Sequence, residues 1–67
     1  MPFVEVKLMT GYTPEQLNRV IRGVSDVVME ALDMPPEKVR VVIVEVPRRL
    51  WAVGGVSYQD AAISPSE

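Results

Sequence analysis

The 67 residues predict an α/β (α+β) fold: a single β-α-β unit with a right-handed crossover, followed by a C-terminal β-hairpin. Three observations carry that prediction. An alternating segment, a long stripe of helical spacing and a β-branched run follow one another, so the order is strand, helix, strand. A Gly54-Gly55 pair between two short apolar runs is a hairpin signal. Apolar residues make up 48% of a chain that has no cysteine, so no disulfide compensates for a small core.

The first strand is read over Pro2 to Met9. Val4, Val6 and Leu8 point to one face, and Glu5 and Lys7 share the other. Thr10-Gly11-Tyr12 interrupts the alternation. The helix then has a complete start signal: Thr13 as N-cap, Pro14 at the first helical position, Glu15 near the positive end, and Gln16 to close a capping box. Leu17, Val20, Ile21, Val24, Val27, Val28, Ala31 and Leu32 recur on one stripe, with Asn18, Arg19, Arg22, Asp26 and Glu30 opposite. Pro35-Pro36 ends the helix at about Asp33. Gly23 in mid-helix costs about 1 kcal/mol against alanine, and its small size suits a close approach to the sheet or to another subunit. The second strand runs from Val39 to Val46, and its two apolar faces fit a strand covered on both sides. Leu50 to Val53 and Val56 to Tyr58 form the two arms of the hairpin, and residues 62–67 are expected as a flexible tail of the one domain, 1–67.

Composition narrows the function. A domain of this length buries only about 60% of its unfolded surface, so its core is marginal alone. The absence of cysteine and histidine removes thiolate and imidazole metal sites and the commonest general base, and no metal site is expected. A net charge of −2 gives no support for nucleic-acid binding. No apolar run approaches the roughly 20 residues of a membrane span and no signal peptide is apparent, so cytoplasmic is the default placement. Two parallel strands covered by one helix leave the second sheet face bare. Self-association, or association with a related chain, is the remaining way to cover it.

Parallel neighbours start at the same end of a sheet, about 4.8 Å apart. Pro2 opens the first strand and Arg40 lies near the start of the second, so a secondary amine and a guanidinium share one sheet edge, within a chain or between packed chains. The pair suits proton transfer next to a carboxylate: the arginine grips the carboxylate and takes up developing enolate charge while the amine moves the proton. For that the amine must be neutral. Burial and nearby cations both favour the neutral form, with Arg40, Arg48 and Arg49 as candidate cations and Phe3 and Trp51 as candidate apolar walls. A strand-end arginine is equally accounted for by solvation or by pairing with Glu37 or Glu45.

Pro2, the amphipathic helix, "VRVVIVEV" and an aromatic followed by "VGG" together resemble the 4-oxalocrotonate tautomerase family over roughly Pro2 to Val56. Gly11, Glu15-Gln16, Leu32-Asp33, Pro35, Glu45 and Trp51 add local matches in the same order. The resemblance implies dimers assembled into trimers of dimers, and cofactor-free keto–enol tautomerisation of an enol or dienol of an α-keto acid. It implies Pro2 as general base once Met1 is removed, Arg40 binding the carboxylate and 2-oxo end, and Trp51 lining an apolar pocket. The family also has a second arginine after the first strand that holds a distal carboxylate. Here that position is Tyr12, leaving Arg48 or Arg49 to compensate only if the hairpin folds over the pocket. Two alternatives stay open: a non-catalytic subunit of a mixed hexamer, or a superfamily decarboxylase or dehalogenase using a charged Pro2 as acid.

Overall fold

A computed structural model describes residues 2–61. The expected tail, 62–67, lies outside the described residues. Strand β1 spans Phe3–Met9, helix α1 Pro14–Leu32 and strand β2 Arg40–Val46. β1 and β2 pair in parallel, in register from Phe3 opposite Arg40 to Met9 opposite Val46. Parallel strands need a long connection between them, and α1 supplies it.

Helix α1 starts where the sequence places it. The Gln16 N–H donates to Thr13 Oγ1 (3.1 Å) and the Thr13 N–H donates to Gln16 Oε1 (2.9 Å), so both halves of the capping box form. It ends at Leu32 with Asp33 in the left-handed region (φ 53°), and the N–H groups of Asp33 and Met34 both turn back to the Met29 carbonyl. The chain then passes through a 3₁₀ turn, Pro36–Lys38, before β2.

The helix covers one face of the sheet. Val4, Val6, Val41 and Ile43 alternate with more exposed residues and are half-buried, and Val4 lines a groove with Val20, Val24 and Val28 of the helix. On the other face Phe3 (64% exposed) and Val42 (39%) are open. β2 is therefore half of a two-stranded sheet rather than a covered central strand, and it becomes one only if another chain supplies the cover. Gly23 makes no close approach to the sheet, since a Cβ there would meet nothing within 4 Å.

After β2 a second 3₁₀ turn, Arg48–Leu50, leads into an antiparallel hairpin of β3 (Ala52–Val53) and β4 (Val56–Ser57). Gly54 (φ 61°) and Gly55 (φ 85°) both occupy left-handed geometry, which a two-residue turn joining twisted strands requires. The hairpin is shorter than the sequence suggests. Leu50 belongs to the 3₁₀ turn, and Tyr58 opens a short helix, α2 (Tyr58–Ala61), instead of extending the second arm. The Tyr58 N–H still donates to the Trp51 carbonyl (2.9 Å), in the register of the hairpin, and the chain turns into α2 only beyond that bond, with the Tyr58 side chain buried (8% exposed). Among the described residues only Met9 and Tyr58 form a buried apolar core.

Candidate active site

Register places Pro2 and Arg40 together. The Arg40 N–H donates to the Pro2 carbonyl (3.2 Å), which ties the start of β2 to the residue just before β1. Phe3 stands opposite Arg40, and paired residues of parallel strands share a face, so Phe3 and Arg40 lie on the open face beside half-buried Pro2. Arg40 is exposed, and its Nη1 donates to the Glu37 carbonyl (2.9 Å). Neither carboxylate that sequence reasoning offers as a partner takes that place. Glu37 contributes its backbone instead, and Glu45 lies five residues along β2, roughly 16 Å away. The Glu37 carbonyl escapes sequence reasoning because backbone acceptors carry no residue-type signal.

The other expected site residues gather at the opposite end. β1 has seven residues, so its ends are about 20 Å apart. Tyr12 follows the far end of β1 and is exposed, while Arg48, Arg49 and Trp51 follow the far end of β2. There the Arg48 guanidinium reaches the Tyr58 carbonyl (3.5 Å), and the Trp51 N–H donates to the Arg48 carbonyl (3.2 Å). Half-buried Arg48 is thereby tied into the base of the hairpin, whereas Arg49 is exposed. Within one chain, then, Pro2, Phe3 and Arg40 form one group and Tyr12, Arg48, Arg49 and Trp51 another.

The surface between these ends is apolar on the helix side. A shallow groove runs along α1 past Val20, Gly23, Val24 and Val27 to Val4, and it includes neither Pro2 nor Arg40. No group of three or more acidic side chains able to hold a metal ion occurs among the described residues. No described helix is long and apolar enough to cross a membrane. What the Pro2 edge offers is an amine position at the strand end, next to a cation and an aromatic ring that share one face. Together these can receive an anionic, partly apolar small molecule.

Known proteins share both the sequence and this architecture. A family model described as tautomerase enzyme matches residues 2–61. The 2-hydroxymuconate tautomerase of Pseudomonas sp. (strain CF600) is 40% identical over 55 residues, covering 82% of this chain and 87% of that protein. A structure from work on the 4-oxalocrotonate tautomerase isozymes of Methylibium petroleiphilum superposes with a TM-score of 0.85 at 42% identity, covering 92% of this chain and all of that one. A heterohexamer 4-oxalocrotonate tautomerase from Chloroflexus aurantiacus J-10-fl provides a chain with a TM-score of 0.83 at 33% identity, covering 90% of this chain and 97% of that one.

Proposed function

The chain belongs to the tautomerase family and is an isomerase, and from that premise we propose that it tautomerises an enol or dienol of an α-keto acid without a cofactor, with Pro2 as the base. In the proposed cycle a neutral Pro2 amine takes the proton of the enol O–H. The oxygen electrons close the C=O bond, and the displaced C=C pair collects a proton at carbon from the same nitrogen. Nothing is oxidised or reduced, so no co-reactant is required. Arg40 holds the carboxylate and 2-oxo end, where negative charge builds as the enol proton leaves. The register contact between Arg40 and Pro2, at the end of the open sheet face, is the observation that carries this reading.

We place the remaining site residues in a neighbouring copy. Tyr12, Arg48, Arg49 and Trp51 lie about 20 Å from Pro2 along the strand, so a pocket that includes any of them together with Pro2 is built from two or more chains. The open sheet face and the apolar helix groove provide the surface for that association, either with identical chains or with a related one. Trp51 would then wall the pocket, with Tyr12 or Arg49 meeting the distal end of the substrate.

A second reading is favoured by one position. Tyr12 stands where the family resemblance has a substrate-binding arginine, and one structural neighbour is a heterohexamer. In that reading the isomerase activity belongs to a mixed hexamer as a whole, in which this chain is the non-catalytic subunit and its Pro2 is idle.

Substitution separates the two. In ultraviolet assays on the purified assembly, Pro2→Ala is expected to lower kcat strongly with the oligomer intact. Arg40→Ala is expected to lower kcat as well as raise KM, because its contact strengthens as charge develops. Wild-type protein that is inactive alone and gains activity only when mixed with a related chain, with Pro2→Ala then making no difference, is the outcome that favours the second reading.

A further inference from the structure

Arg40 is held from both ends, and the 3₁₀ turn ahead of it provides one of the holds. Its N–H is fixed on the Pro2 carbonyl (3.2 Å), and its Nη1 donates to the Glu37 carbonyl (2.9 Å). The turn that presents this carbonyl is closed by two bonds, the Lys38 N–H to the Pro35 carbonyl (3.1 Å) and the Val39 N–H to the Pro36 carbonyl (3.2 Å). Pro36 occupies its first position, where the ring fixes φ, and Pro35 before it is extended (φ −76°, ψ 160°). Two consecutive prolines therefore leave the chain few ways to travel from the helix cap to β2.

We infer that the Pro36–Lys38 turn is a positioning element for Arg40: the Glu37 carbonyl, presented by the proline-stiffened turn, fixes the guanidinium at the start of β2 before substrate arrives. This rests on the proposed role of Arg40 in binding substrate. Three physical points support it. A guanidinium carries five N–H donors, and the Glu37 carbonyl is the side chain's one protein partner among the described residues, so most of the fork remains open to a carboxylate. A peptide carbonyl is neutral, so it orients the cation without cancelling the charge that an anionic substrate needs; a carboxylate tether would compete with the substrate for it. An exposed arginine otherwise samples many rotamers, and restricting them in advance removes part of the cost of binding. Pro36 and Glu37 thus act through Arg40 and need not touch substrate.

The test is a double-mutant cycle on the assembled protein, using Pro36→Gly and the milder Pro36→Ala, each with Arg40 present and with Arg40→Ala. The tether predicts that loosening the turn lowers kcat/KM about three- to tenfold, with Pro36→Gly worse than Pro36→Ala. Sedimentation should be unchanged, and no further loss should appear in the Arg40→Ala background. A second readout does not depend on turnover. The Arg40 guanidinium ¹⁵N–¹H signals, assigned by their disappearance in Arg40→Ala, should show slowed rotation in wild type and faster rotation in Pro36→Gly. A loss from Pro36→Gly that persists undiminished without Arg40, or equal guanidinium rotation with and without Pro36, would overturn the tether while leaving the role of Arg40 standing. Full activity in Arg40→Ala alone would overturn the role of Arg40 and the tether with it.

Discussion

At Tyr12 the side chain offers one phenolic donor and no positive charge, where a dicarboxylic substrate would need a cation for its distal end. The chain is therefore expected to turn over a monocarboxylic enol such as phenylenolpyruvate more efficiently than a dicarboxylic dienol. Loss of one charge-assisted contact to a carboxylate costs about 1.5–3 kcal/mol, so kcat/KM for the dicarboxylic compound should rise about ten- to a hundredfold in Tyr12→Arg. Steady-state ultraviolet assays of both proteins on both compounds measure this. Equal kcat/KM for the two compounds in wild type would mean that another residue, such as Arg49, already grips the distal end. The closeness of Pro2 and Arg40 is legible in the sequence because strand starts of a parallel pair must coincide. The separation of Trp51 and Tyr12 from that edge is equally implied by strand length, but the family pattern groups them with Pro2 and so hides it. The link from Arg48 to the Tyr58 carbonyl is not legible, because it depends on how a ten-residue excursion folds back on itself.

Among the elements, α1 is legible almost to the residue, since each of its boundaries is set by local chemistry: a reciprocal capping box at one end and two prolines beyond the other. That chemistry gives two stability predictions. Thr13→Ala removes the acceptor for the Gln16 N–H and should cost about 1 kcal/mol. Asp33→Gly should stabilise the fold by up to about 1 kcal/mol. It relieves a non-glycine residue of left-handed geometry and removes a negative charge from the helix C-terminus, where the dipole disfavours one. Urea unfolding at a fixed protomer concentration checks both, because association contributes to the measured stability. A loss of stability in Asp33→Gly would mean that the aspartate side chain has a partner outside this chain. The hairpin is less legible. Its Gly-Gly turn is plain, but Tyr58 looks like a strand residue by propensity alone, and its burial against the 3₁₀ turn overrides that preference. Pro35-Pro36 reads in the sequence only as the end of a helix, although the same prolines also shape the entry into β2.

As a whole the protomer is stretched. Its radius of gyration is 14.8 Å, against about 11 Å for a compact domain of this length, and its extents are 43 × 24 × 15 Å. Phe3, Val27, Leu50 and Val53 each stay at least 60% exposed, which is surface a lone chain in water would not keep. Sedimentation at micromolar concentration should therefore show an oligomer, with a hexamer expected from the family resemblance, and a stable folded monomer would contradict this. The need for partners is legible in composition, from 48% apolar residues with no cysteine, and so is the bare sheet face, but the arrangement of the partners is not, because one chain's sequence does not say which surface of a neighbour meets that face. The most direct test of the proposed chemistry acts on the Pro2 nitrogen of the assembled protein. Joined to Met1 that nitrogen is an amide and cannot serve as a base, whereas with Met1 removed it is a free secondary amine. Two homogeneous samples, one retaining Met1 and one lacking it, each verified by intact mass and shown to sediment alike, should differ completely in the ultraviolet tautomerase assay, with turnover only in the sample lacking Met1. Full activity in the Met1-retaining sample would show that another group moves the proton.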